Sequence, residues 1–166
     1  DRVVISGIGK SAVGRRLMRV PLSLSVEAAQ AAIADAGLTA ADIDGLSTYP
    51  GASIPGGMTE GGINALENVL QLQPVWFNGG LEIPGMGGAI QAAMLAVASG
   101  QCRHVLCVRT VWEASNAAWM RSGELSPPGG GRAGGEMQWL FPFGAAAAPM
   151  WLGPLANAYM HRYGVD

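Results

Sequence analysis

Charge is what this sequence has least of. Asp, Glu, Lys and Arg make up 13% of its 166 residues, about half of the roughly 25% usual in soluble domains. The net charge is −2, which leaves no basic field for a nucleic-acid backbone. Cysteine is as scarce. Cys102 and Cys107 flank a predicted strand, cannot make a metal site alone, and read as packing residues. Few thiols and no evident signal peptide point to a reducing, cytoplasmic setting, although the chain opens at Asp1 without a Met. Long apolar runs are missing too: Ala89–Ala98 is too short and too interrupted to span a bilayer. The glycine-rich Gly129–Gly135 loop lacks the GxxxxGK[ST] spacing and opens no clear helix after a strand, which excludes a phosphate-binding loop of that kind.

What is present is apolar. Hydrophobic residues make up 49% of the chain, and there are 25 glycines. The length suits one domain with a sizeable core. With so little charge, much of its surface is expected to be buried against something else.

Periodicity orders the chain. Arg2–Gly9 (RVVISGIG) is β-branched and apolar, and reads as a buried strand. A basic loop follows, Lys10–Pro21, with Lys10, Arg15, Arg16 and Arg19. Leu24–Ala36 is a predicted helix with Ser23 or Ser25 as cap, an apolar face of Val26, Ala29, Ile33 and Ala36, and Gly37 as its stop. Gly45–Tyr49 is a short strand, Pro50–Gly57 a loop, and Glu60–Leu72 has helical spacing. Pro74–Asn78 reads as a strand. Pro84–Ser99 is a helix with Pro near its start and Gly100 after its end. Arg103–Thr110 is a continuous apolar strand of the kind covered on both faces. Val111–Arg121 reads as partly helical, Ser122–Glu136 as loop, Trp139–Ala148 as apolar and irregular, and Pro149–Tyr163 as a helix closed by Gly164. The alternation predicts an α/β fold: a mostly parallel mixed sheet covered by helices on both faces.

One segment stands out. FNGGLEIPGMGGAIQAAMLAVASGQCRHVLCVRTV, residues 77 to 111, reads as strand end, glycine-rich turn, buried helix and strand. Such a turn can aim backbone N–H groups and a helix N-terminus at a developing oxyanion. The same glycines also suit a tight turn that lets the helix approach the sheet.

This segment resembles the nucleophile turn of the thiolase superfamily. So do the opening VVISGIGKSAVGR, the helix SVEAAQAAIADAGLTAADIDGL and the closing PMWLGPLANAYMHRYGVD. RTVWEAS, the PFG of residues 142–144 and YMHRYGVD are similar to the sterol-carrier-protein-type thiolases and their lipid-transfer-protein-like relatives. That group includes the aldolases of steroid side-chain degradation. The resemblance implies a layered α-β-α half, with residues 1–166 as a single N-terminal domain and the second half of the protomer absent. The family's cysteine has no counterpart here. Counting back from Gly100 puts Ile83 at its position, and a slip of one or two residues gives Glu82, Pro84 or Gly85. None of these accepts an acyl group.

The expected activity is therefore a carbon–carbon lyase. It would cleave a bulky, steroid-type β-hydroxyacyl-CoA by retro-aldol chemistry, with the CoA thioester as substrate and no covalently bound cofactor or metal. The main acid–base residues are expected outside this chain. The alternatives are an acyltransferase that finds its nucleophile elsewhere, Cys102 and Cys107 included, and a non-catalytic scaffold subunit. The resemblance also implies a homodimer, a small partner protein with an OB fold and a zinc ribbon, and no membrane or nucleic-acid role.

Candidate residues follow. Asn78, Ile83, Gly85, Met86 and Gly87 would line the thioester site, with Glu82 as an acid or base or merely a loop carboxylate. Arg109 and Glu113 bracket the end of a strand where α/β sheets place ligands. Arg109 is expected to pair with Glu113 or Glu82 and to face substrate. Trp112, Trp119, Trp139, Phe141, Phe143 and Trp151 either wall an apolar acyl pocket, with Phe143 at the substrate, or form interface core. His104, His161, Tyr49, Tyr159 and Tyr163 read as capping or packing residues. Lys10–Arg19 reads as solvated surface, with a CoA phosphate as its alternative ligand.

Overall fold

The computed structural model describes residues 3–51, 56–80, 85–124, 143–145 and 148–165. They fall into two compact units, Asp1–Ser126 and Pro127–Asp166. The first contains a sheet of three short parallel strands, β1 (Gly45–Ser47), β2 (Trp76–Asn78) and β3 (Val105–Cys107), in the order β2-β1-β3. Leu46 lies between Phe77 on one side and Leu106 on the other. Helix α1 (Pro21–Asp35) precedes β1, α2 (Gly62–Leu70) joins β1 to β2, α3 (Gly85–Ala98) joins β2 to β3, and α4 (Glu113–Ser122) follows β3. This bears out the α/β layered reading.

Pleating sorts the layers. Alternate side chains of a strand point to opposite faces. Leu46 is fully buried among Ala29 and Ile33 of α1 and Ile63 and Leu66 of α2. Ser47 points the other way, and its hydroxyl donates to the Ala89 carbonyl of α3 at 2.9 Å. Helices thus cover both faces, α1 and α2 on one and α3 on the other. Gly88, Ala89, Ala93 and Ala96 are the buried residues of α3, small enough to bring its axis close to the sheet.

Asp44 ties the strands together where they begin. Its carboxylate accepts the N–H groups of Arg103 and His104 at 2.8–2.9 Å, and its carbonyl accepts those of Val75 and Trp76. His104 in turn gives its carbonyl to Gly45 at 3.1 Å. The helix stops are as read: Gly37 (φ +68) and Gly100 (φ +76) adopt the left-handed backbone that favours glycine.

Two local expectations are corrected. Helix α1 starts at Pro21 and has no side-chain cap. Pro at the first helical position needs no donor there, and Ser23 turns its hydroxyl back to the Val20 carbonyl at 2.7 Å. The predicted strand at Arg2–Gly9 is not one: none of its described residues joins the sheet. Val4, Ile5 and Ile8 are each more than 70% exposed. The glycines explain the placement. A Cβ on Gly7 would stand 2.3 Å from the Ala32 carbonyl oxygen, and one on Gly9 2.1 Å from that of Ala28. The segment lies along the backbone of α1, held by Ile8 N–H to Asp35 and Ala12 N–H to Glu27, each at 2.9 Å.

In the second unit α5 spans Ala148–Tyr163, with Pro154 inside it. Tyr159 and Tyr163 stack one turn apart at 4.7 Å. Leu152, Leu155, Tyr159 and Tyr163 are all exposed. Among the described residues no helix is long and apolar enough to cross a membrane.

Candidate functional site

A helix that joins parallel strands runs against them. The N-termini of α2 and α3 therefore sit at the carboxyl edge of the sheet. Ser25, in the second turn of α1, shares a 2.7 Å hydrogen bond with Thr110 beyond β3, which puts the start of α1 at the same edge. The chain leaves β1 for one side of the sheet and returns on the other as β3. Ligands of open α/β sheets bind outside the carboxyl ends at such a reversal.

On the α3 face this edge holds Asn78, Ser47, Tyr49 and Arg109. The Asn78 amide donates to the Ser47 hydroxyl at 3.1 Å, and Ser47 donates to Ala89. Asn78 thus clamps the first turns of α3 to the strand ends. Gly51 and Gly79 run in backbone contact beyond them: a Cβ on Gly51 would lie 2.1 Å from the Gly79 Cα, and Gly51 N–H donates to Gly79 at 3.0 Å. Gly85 (φ +61) opens α3, Met86 is half-buried and Gly87 is exposed. Among the described residues no neighbour stands within 4 Å of a Cβ built on Gly85 or Gly87.

Arg109 does not pair with Glu113. Among the described residues the ion pair is Arg19–Glu27, at 2.7 Å. Arg109 lies instead over the Tyr49 ring, 5.4 Å from its centroid. Val108 is buried in the core with Leu46 and Leu106, so alternation turns Arg109 to the other side of the sheet, while Glu113 begins the next helix. Glu82 and Ile83, together with Trp139 and Phe141, lie outside the described residues. Phe143 belongs to the second unit and is 81% exposed. Trp112 and Trp119 pack at 5.6 Å, and Trp112 also donates to the Thr59 carbonyl at 2.8 Å.

The opposite face of the same edge holds a residue that sequence reasoning missed. Glu60 precedes α2 and is largely buried. Burial pushes its carboxyl above the usual glutamate range, against smaller opposing pulls from Thr59, Ser25 and the Thr110 backbone. The Thr59 hydroxyl reaches one carboxyl oxygen at 3.3 Å, and among the described residues the other, buried oxygen has no hydrogen-bond partner. In the sequence Glu60 looks like any acid at a helix start. The signal lay only in its neighbours, Thr59 and two flanking pairs of glycines, which let the loop fold inward.

Neither thiol is activated. Burial pushes the Cys107 thiol up to about 11 and raises Cys102, which Asp44 raises further. Among the described residues His, Cys, Asp and Glu side chains nowhere gather in threes as a metal would need.

The fold and edge define a class, an α/β protein with a polar carboxyl edge at the switch point of a parallel sheet. Comparison with known proteins narrows it. The chain is 32% identical over 169 residues to a steroid side-chain-cleaving aldolase of Thermomonospora curvata, across 96% of this chain and 40% of that protein. The solved structure of an Ltp2-ChsH2(DUF35) aldolase superposes with a TM-score of 0.71 at 30% identity, over 98% of this chain and 38% of that one. The chain spans about two fifths of the length of these two proteins. No protein-family model matches it.

Proposed function

We propose that this chain is the N-terminal half of a thiolase-fold lyase that cleaves a bulky, steroid-type β-hydroxyacyl-CoA by retro-aldol chemistry. The observation that carries the reading is the likeness to a steroid side-chain-cleaving aldolase along 96% of the chain. In such a cleavage a base takes the β-hydroxyl proton and the Cα–Cβ bond breaks. The electron pair moves onto the thioester as an enolate, which is then protonated at Cα. No nucleophile is required. That suits a turn without cysteine and two thiols held protonated by burial. The glycine turn at Gly85–Gly87 and the start of α3 would face the thioester oxygen. The base would come from outside this chain. The solved relative carries two component names, which supports a partner protein, an OB-fold and zinc-ribbon subunit by the resemblance, beside a homodimer in the cytoplasm.

The test is a product assay on the full-length protein, with and without that partner. It offers a β-hydroxyacyl-CoA alone and a β-ketoacyl-CoA with free CoA. Cleavage of the hydroxy substrate without use of free CoA is expected. Cleavage of the keto substrate alone, with CoA consumed, would make the protein an acyltransferase.

A further inference from the structure

β1 and β3 lie side by side where the strand order reverses, and on the α3 face the residues that follow them are Tyr49 and Arg109. Arg109 Nε is buried and, among the described residues, has no hydrogen-bond partner. Among the described residues none of the other guanidinium N–H groups has one, and no carboxylate comes within ion-pair distance. A guanidinium carries five donors in a planar fork. Leaving a half-buried cation of this kind unmatched is costly, and the fork is shaped for a two-oxygen anion. Among the described residues this face offers none, and Glu82 lies outside them. Cys107, two residues back, stays a neutral thiol, and Glu60 lies on the other face. The start of α3 adds the positive end of a helix dipole to the same edge. Tyr49 supports the guanidinium, whose carbon lies 5.4 Å from the ring centroid.

We propose that Arg109, laid on Tyr49, binds an anionic oxygen of the thioester substrate. Two parts of such a substrate supply that chemistry, a phosphate of the CoA moiety and the enolate oxygen that appears as the Cα–Cβ bond breaks. The identity of the ligand rests on the thioester-lyase reading. The anion site itself rests on the unmatched fork.

Two measurements on the full-length protein with its partner separate these parts. One is calorimetric binding of CoA and of pantetheine, which lacks the phosphates. The other is turnover of the acyl-CoA and of its N-acetylcysteamine thioester, which lacks them too. Arg109→Ala is compared with Arg109→Lys, which keeps the charge but not the fork, and circular dichroism checks that both fold. If the ligand is phosphate, Arg109→Ala weakens CoA binding roughly 10- to 100-fold and leaves pantetheine binding and N-acetylcysteamine turnover unchanged. If it is the enolate, kcat falls by a similar factor on both thioesters while KM holds. Arg109→Lys recovers part of either loss. Unchanged binding and turnover overturn the proposal. So does an Arg109→Ala protein that changes only its oligomeric mass, because the guanidinium would then serve a carboxylate of another chain. Arg109-dependent CoA binding without any cleavage would keep the anion site and remove the lyase reading.

Discussion

On the α1–α2 face of the sheet, Leu46, Leu66, Ile33, Ile63 and Leu70 fill the space with branched aliphatic side chains. On the α3 face, Gly88, Ala89, Ala93 and Ala96 leave almost no side chain to fill it, and a hydroxyl and an amide span the gap. The first face gains stability from buried area. The second gives that up for a short, hydrogen-bonded distance between helix and strands. Its residues fix where α3 begins and how the strand ends face it. The outer side of α3 still shows Met94 and Leu95 to solvent, so this helix is apolar on both sides and committed to neither.

The comparison breaks most readily at Leu66. Truncating this fully buried residue to Ala is expected to cost about 2–5 kcal/mol, read as a lower denaturant midpoint with an unchanged slope. On the other face Ser47→Ala removes less, about 1–3 kcal/mol, because Asn78 loses an acceptor while little volume is lost. It should nevertheless lower turnover of the thioester more than Leu66→Ala does under conditions where both fold. An equal loss of turnover would erase the distinction between a face for stability and a face for geometry.

Glu60→Gln tests the polar margin of the aliphatic face through pH. The folded state raises this carboxyl above its ordinary value of 4.5. The folded protein therefore resists its ionisation, and wild-type stability falls as pH rises from that value through the folded one. The amide cannot ionise, so the variant should lose that slope and overtake the wild type above the window. Parallel curves from denaturation across the acid-to-neutral range would show that the carboxyl ionises freely. The smallest effect concerns the thiols. With Cys107 pushed up to about 11, alkylation at neutral pH should be slow by mass spectrometry and should leave turnover unchanged.

The sequence announced its helices and parallel strands well, because Gly37, Gly100 and the apolar spacing of Ile63, Leu66 and Leu70 act locally. It misled at Val3–Gly9. The β-branched run looks like a strand in any context, but Gly7 and Gly9 fit the backbone of α1, a contact visible only in three dimensions. The same limit hid Glu60 and turned Arg109 toward Tyr49. Which charge meets which partner depends on the alternation of two strands that are distant in sequence. Asn78, by contrast, was legible as the end of a strand before a glycine turn, and the structure places it there.

Two glutamates near the start of helix α1 respond to protons in opposite senses. Glu27 holds Ala12 N–H and Arg19, and first Arg19 and then that N–H keep its carboxyl below the usual range. Its grip on the opening segment is present above the ordinary glutamate pKa and is released as pH falls through the folded one. Glu60, beside Ser25 near the start of α1, keeps its proton to higher pH because burial raises its carboxyl. Acid therefore weakens the tie between Glu27 and the opening segment, while base works against the burial of Glu60. The start of α1 thus sits between a carboxylate that favours its charge and a carboxyl that favours its proton.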